Sequence, residues 1–160
     1  MSHYYTRFKS PVGELTLVAT DKHLVAVLWE NEKPNRVRLP EMKKAKQHEI
    51  LEKTETQLKE YFAGTRMKFE LPLAFEGTGF QTKVWQSLQK IPYGKTRSYR
   101  ELASKVGSPK AYRAVGSANG RNPISIIVPC HRVISSTGKL AGFAGGLKAK
   151  AYLLQFESGV

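Results

Sequence analysis

From Asn122 to Ile134 the chain reads Asn-Pro-Ile-Ser-Ile-Ile-Val-Pro-Cys-His-Arg-Val-Ile, and this stretch constrains the fold more than any other. Residues 124–128 are β-branched apart from Ser125, the composition of a short buried strand, and Pro129 then removes a backbone donor and turns the chain. Cys130, the only cysteine, is thereby expected just past a strand end. Neighbouring side chains in a continuing strand point to opposite faces, so coupling of Cys130 to His131 requires a turn or a bridging water. That coupling decides the chemistry, because a thiol with a pKa of about 8.5 is mostly protonated at neutral pH until a base or a helix N-terminus activates it. The plainer reading of a cysteine after an apolar run is a small buried hydrophobe.

Charge is placed unevenly around this stretch. The net charge is +13, but residues 1–75 hold 13 Lys and Arg against 10 Asp and Glu, whereas residues 76–160 hold 13 against only Glu76, Glu101 and Glu157. A basic excess gathered in one half points to a polyanion, bound with steep salt dependence. Membrane-surface attraction is the competing explanation, and no basic amphipathic helix or lipidation signal accompanies it. No apolar run approaches 18 residues and no secretory leader is read at the start, so an intracellular, cytoplasmic protein without a membrane partner is expected. A single cysteine excludes an internal disulfide and a multi-cysteine zinc site, and a reactive thiol suits a reducing compartment.

At 160 residues the chain can hold one domain or two small ones. Tyr5–Phe8, Glu14–Thr20 and Leu24–Trp29 read as strands separated by turns at Pro11-Val12-Gly13 and Asp21-Lys22-His23, an antiparallel meander. Glu30 to Pro40 reads as a loop. Ile50, Leu51, Leu58, Tyr61 and Phe62 fall at helical spacing within a helix expected from Lys43 to Phe62. Phe69 to Leu73 reads as an edge strand because Pro72 cannot donate to a central ladder. His3, His23 and His48 stand isolated and suggest no ligand set.

Gly77-Thr78-Gly79 marks a boundary, dividing the chain into 1–76 and 77–160. Phe80, Val84, Trp85, Leu88 and Ile91 predict a helix that Pro92-Tyr93-Gly94 ends. Ser98 caps Tyr99 to Lys105 with Glu101 as its capping-box partner. Val106-Gly107-Ser108-Pro109 breaks that helix and Ala111 to Ala118 begins another, the pattern of a helix-turn-helix, although core helix pairs look alike. Gly138 to Gly146 reads as a flexible loop, and Lys148 to Phe156 as a helix with Leu153, Leu154 and Phe156 inward. Glu157 then lies where the helix dipole disfavours a negative charge, which hints at another task.

Arg113-Ala-Val-Gly116-Ser-Ala-Asn-Gly-Arg-Asn122-Pro123, followed by Pro129-Cys130-His131-Arg132-Val133, resembles the signature of the O6-alkylguanine-DNA alkyltransferases, the methylated-DNA–protein-cysteine methyltransferases. The resemblance is specific from about Phe80 onward and looser before it. It implies an N-terminal α/β domain with a ribonuclease-H-like arrangement, antiparallel sheet plus helix, and a mostly helical C-terminal domain with the helix-turn-helix. It also implies direct, stoichiometric repair of O6-alkylguanine in double-stranded DNA by an S-methyltransferase that acts once, without cofactor or metal, as a monomer with no obligate protein partner. O4-alkylthymine stays open as a second substrate.

The resemblance assigns roles residue by residue. Glu157, His131 and Cys130 would carry a Glu–His–water–Cys relay, Tyr99 would hydrogen-bond the base at N3, and Asn122 would tie the turn at Cys130 to the recognition helix. That helix, with Tyr112, Ala114, Gly116 and Ser117, would lie in the minor groove, and Tyr112 stands where a small residue is often found. Arg113 would enter the base stack while the target nucleotide is flipped out, and Ser136 would also meet DNA. Main-chain groups at Cys130, Val133 and Ala144 would read the base edge between apolar walls at Pro129 and Phe143, the latter standing where tyrosine is often found.

Each role has a plainer alternative: Tyr99 as a packed ring, Arg113 as a solvated cation, Asn122 as a turn residue before Pro123, the small residues of the second helix as close packing. Two other functions remain in view. A cysteine hydrolase would use Cys130 and His131 but has no need of the basic half. A DNA-binding protein that marks lesions without repairing them would lack the nucleophile, which this chain has. An ordinary transcription factor would read bases with side chains on its second helix, where Arg113 and Asn119 make a thin set.

Overall fold

In a computed structural model that describes residues 1–138 and 143–159, the chain forms two compact units, Met1–Phe75 and Glu76–Val160. The first is built on a sheet of β1 (His3–Ser10), β2 (Gly13–Ala19), β3 (Leu24–Leu28) and β4 (Met42–Lys44) in the order β3-β2-β1-β4. The meander is present: β1 pairs antiparallel with β2, and β2 with β3. Leu15 and Leu17 alternate inward as a strand period demands, and Val18, between Leu17 and Ala19, is buried in a cluster with Val25 and Ala26 that Leu39 and Met42 cover.

The helix expected from Lys43 starts later, because Met42–Lys44 is taken up as β4, parallel to His3–Tyr5. Its two lysines are exposed on the sheet edge, where charge discourages further pairing. Helix α1 (Glu49–Phe62) is capped by His48, whose Nδ1 accepts from the Leu51 amide at 3.4 Å. It buries Leu51, Leu58 and Tyr61 on one face. The expected edge strand at Phe69 to Leu73 contracts to one bridge between Leu24 and Leu73, flanked by the Leu24 amide donating to the Pro72 carbonyl. The Gln57 carboxamide takes up the Glu70 backbone instead, donating to its carbonyl and accepting from its amide.

The second unit opens with α2 (Gly79–Leu88), started by a capping box between Thr78 and Gln81. Gly77 is required there, since a Cβ would stand 2.7 Å from the Trp85 ring. Trp85 in turn donates its indole N–H to the Ala118 carbonyl at 2.8 Å, fastening α2 to α4 (Tyr112–Gly120). Ahead of α4, α3 (Tyr99–Lys105) begins on the Ser98–Glu101 capping box. β5 (Arg97–Ser98) pairs parallel with β6 (Val133–Ile134), and α5 (Leu147–Ser158) ends on Gly159 in the left-handed conformation.

Residues 124–128 do not form the expected strand. Ile126 takes φ +73° and the Val128 amide donates back to the Ile124 carbonyl at 2.9 Å, so the segment folds into a buried turn. The cause is Asn122, whose carboxamide donates to the Val128 carbonyl at 2.8 Å and accepts from the Ile124 amide at 3.0 Å. One side chain thus satisfies backbone groups that a strand would have paired with a neighbour. Cys130 accordingly starts a single 3-10 turn, Cys130–Arg132, instead of trailing a strand.

Candidate active site

Cys130 is 3% exposed, at the head of that 3-10 turn, with its amide donating to the Val128 carbonyl at 2.8 Å. The turn sends His131 into the interior, where its Nε2 meets Glu157 Oε2 at 2.8 Å. Arg132 closes on the same carboxylate, Nε to Oε1 at 2.7 Å and Nη2 to Oε2 at 3.0 Å, and its Nη1 donates to the Ile91 carbonyl at 2.7 Å. The planar guanidinium fork matches the carboxylate, as a bidentate pair should. All three side chains are buried.

Burial alone would raise the Glu157 carboxyl, but the hydrogen bonds from His131 and Arg132 outweigh it and hold it at about 2. Burial pushes the His131 imidazole below its ordinary value, against the pull of Glu157, so the ring is neutral. An ionised carboxylate only accepts, which places the ring proton on Nε2 and the lone pair on Nδ1. Nδ1 is buried with no hydrogen-bond partner. The arrangement is a base oriented from behind by a carboxylate, next in sequence to a thiol. Glu157 in the last turn of α5, unfavourable against the helix dipole, is explained by Arg132.

Three side chains that sequence reasoning did not assign to the site complete it. Arg132 is one. Lys150 is fully buried, donates from Nζ to the Val133 carbonyl at 2.6 Å, and lies 6.0 and 5.9 Å from the ring centroids of Tyr99 and Phe143. Burial lowers its pKa, while negative charge at Cys130 works the other way. Asn119 is buried on α4 with Nδ2 3.4 Å from the Cys130 carbonyl. Lys150 sits beside Ala149 and one turn before Leu153 on the buried side of α5, so a lysine on an apolar stripe was the available signal.

Tyr99 is half-buried, and its phenol is raised first by burial and then by negative charge at Cys130. A cavity of about 340 Å³ is lined by Tyr99, Arg100, Tyr112, Gly116, Ser135 and Ser136. Pro129, Val133, Phe143 and Ala144 are not among its lining residues; Pro129 and Val133 are buried, Phe143 and Ala144 half-buried. Val133, Phe143 and Tyr99 instead converge on Lys150. On α4, Arg113, Ala114 and Ser117 are exposed, and Arg100 lies over the Tyr112 ring at 4.5 Å. Residues 139–142 of the loop read as Gly138 to Gly146 lie outside the described residues. Among the described residues no group of three or more His, Cys, Asp or Glu is placed to hold a metal, and no helix is long and apolar enough to cross a membrane.

Two family models match the chain: the ribonuclease-like domain of 6-O-methylguanine DNA methyltransferase over residues 3–75, and its DNA binding domain over residues 79–159. The methylated-DNA–protein-cysteine methyltransferase of Methanosarcina acetivorans is 47% identical, over 96% of this chain and 97% of its own. The constitutive enzyme of that name from Bacillus subtilis is 45% identical, over 97% and 95%. Among solved structures, Mycobacterium tuberculosis OGT in complex with DNA superposes with a TM-score of 0.88 at 42% identity, covering 98% of this chain and 93% of that one.

Proposed function

The chain belongs to the family of methylated-DNA–protein-cysteine methyltransferases, and from that membership we propose that Cys130 is the residue that receives the alkyl group. The protein is a DNA-repair enzyme that transfers the alkyl group of O6-alkylguanine to a cysteine. The observation that carries the assignment to Cys130 is the buried Glu157–His131 pair beside it, with Nδ1 left as the basic atom.

Glu157 holds the Nε2 proton, so Nδ1 accepts the Cys130 proton through a water. The thiolate sulfur attacks the alkyl carbon; the S–C bond forms as the C–O6 bond breaks, and its electrons go to guanine. Tyr99, whose raised pKa keeps it protonated at neutral pH, donates its proton at N3 so that guanine leaves neutral. A thioether remains on Cys130, which has no leaving group of use, and each molecule therefore reacts once.

The base must leave the duplex to reach a buried thiol, at a cost of a few kcal/mol. In this reading α3 and α4 are a helix-turn-helix, and the exposed Ala114 and Ser117 with Gly116 let α4 enter the minor groove. There sequence is read poorly, as a damage scanner requires. Arg113 fills the gap in the stack, and Tyr112 and Ser136, which line a cavity with Tyr99, meet the DNA. Backbone groups of Cys130, Val133 and Ala144 read the base edge between Pro129 and Phe143, and Asn122 holds the turn that carries the nucleophile. The protein acts as a monomer in the cytoplasm.

Intact-protein mass after incubation with duplex DNA containing O6-methylguanine tests this. The expected result is a gain of one methylene unit, mapped to Cys130, saturating at one per molecule and absent from Cys130→Ala and from undamaged DNA. No gain despite tight, salt-sensitive binding would replace repair by lesion recognition.

A further inference from the structure

Asn119 has no part in the reaction as set out above, yet its carboxamide lies among the groups that perform it. The residue is 4% exposed on α4, one helical turn beyond Gly116. A Cβ on Gly116 would stand 3.6 and 3.7 Å from Cδ1 and Cε1 of Tyr99, so the tyrosine ring runs along this side of α4. Asn119 lies one turn further along the same side of α4, so its carboxamide is placed to hydrogen-bond the phenol, an influence that lowers the phenol's pKa. The Asn119 Nδ2 also faces the Cys130 carbonyl at 3.4 Å, while Oδ1 is buried with no hydrogen-bond partner.

A carboxamide has two N–H donors and one acceptor oxygen. The two donors can serve the Cys130 carbonyl and the Tyr99 phenol oxygen together, and the orphaned Oδ1 is what that orientation leaves behind. Rotating the amide would give Oδ1 no better acceptor's role toward Cys130, since a carbonyl needs a donor. A buried polar atom kept without a partner is uncommon in native cores and calls for a functional reason.

We propose that Asn119 is a positioning residue that links the Tyr99 phenol to the Cys130 backbone, holding proton donor and nucleophile in one geometry from the helix that meets DNA. The inference rests on the alkyl-transfer reading of the site. Chemically, an N–H donated to the phenol oxygen stabilises the negative charge that grows there as Tyr99 gives its proton to guanine. Burial and the charge of Cys130 both raise the phenol, and the hydrogen bond from Asn119 opposes them. Without Asn119, Tyr99 becomes a weaker acid at the moment the thiolate forms.

The test is a double-substitution cycle on the full chain, reading the single-turnover rate of methyl transfer from an O6-methylguanine duplex at saturating protein. DNA affinity and thermal unfolding are measured beside it. Asn119→Leu should slow transfer about tenfold, the scale of one hydrogen bond, with DNA affinity unchanged. Tyr99→Phe should also slow it, and the double variant should be no slower than the slower single one. In the protein without DNA, the Tyr99 ¹³Cζ titration should move to higher pH in Asn119→Leu. If Asn119→Leu does not fold, Asn119→Ser, which keeps one donor in less volume, carries the same cycle. Losses that multiply, a wild-type rate in the Asn119 variant, or an unmoved Tyr99 titration would overturn the inference while leaving the proposed function standing. Failure of the wild-type protein to take up the methyl group would overturn both.

Discussion

In the N-terminal unit the large, fully buried side chains are Leu15, Leu17, Leu24, Leu51, Leu58 and Tyr61, and its buried Thr54 and Gln57 hydrogen-bond to nearby backbone. The C-terminal unit has such a core too, in Leu88, Leu102, Ile124, Ile126 and Leu153, but it also buries Asn122, His131, Arg132, Lys150 and Glu157. Hydrocarbon is stabilised by burial at roughly 25 cal/mol per Å². Buried ions are tolerated only while each partner is in place. Two units of similar size therefore fail differently: the first by loss of packing, the second also by loss of one partner in a charge network at the proposed reaction site.

The largest effect expected from this difference is at Glu157. Glu157→Ala leaves the Arg132 cation buried and His131 without its acceptor, and should cost about 3–5 kcal/mol in denaturant unfolding. The transfer rate of the molecules still folded should fall by about a hundredfold or more. A variant that keeps its stability would break the comparison. In the N-terminal unit, Leu58→Ala should cost about 2–5 kcal/mol through its cavity, with the transfer rate per folded molecule unchanged. A rate loss there would show that packing in the first unit also sets the chemistry.

Acid should sharpen the contrast by a smaller amount. The Glu157 carboxyl, held at about 2 when folded against 4.5 unfolded, contributes stability that is complete above about pH 4.5 and lost as the pH falls toward 2. His131, lowered from 6.5 mainly by burial, adds a loss that begins below about pH 6.5, because the unfolded chain binds a proton that the folded site refuses. Both signs agree: stability falls as the pH falls, by about 3 kcal/mol for the carboxylate. Amide exchange protection in α4 and α5 should decline before that in β2 and α1. Simultaneous loss would mean that the ions of the second unit are not its weak point.

These differences also decide what could be read without coordinates. The meander, the Ser98–Glu101 capping box and the helix carrying Glu157 rest on neighbouring residues, and periodicity or capping chemistry reveals them. The Ile-rich segment 124–128 misleads because its preference for a strand is overridden by a carboxamide two residues earlier. The start of α1 is misplaced because Met42–Lys44 pairs with a strand about forty residues away. Arg132, Lys150 and Asn119 are polar residues whose partners lie far along the chain. Arg132 to the Ile91 carbonyl spans 41 positions and Lys150 to the Val133 carbonyl spans 17, and no local pattern records such a pairing.

The Asn122 turn has a consequence for how this sequence can vary. Its carboxamide spans six positions, from its own Cα to the Val128 carbonyl, and does so only while Ile126 is held at φ +73°, a conformation that is unfavourable for a β-branched residue. The side chain acts as a ruler of fixed length laid along the chain just before Cys130. An inserted or deleted residue between 122 and 130 would change the count, and Cys130, the proposed nucleophile, would be carried out of its place near Tyr99. Lengths elsewhere in the protein can drift at loops; across this interval, descent from a common ancestor should leave alignments without a gap.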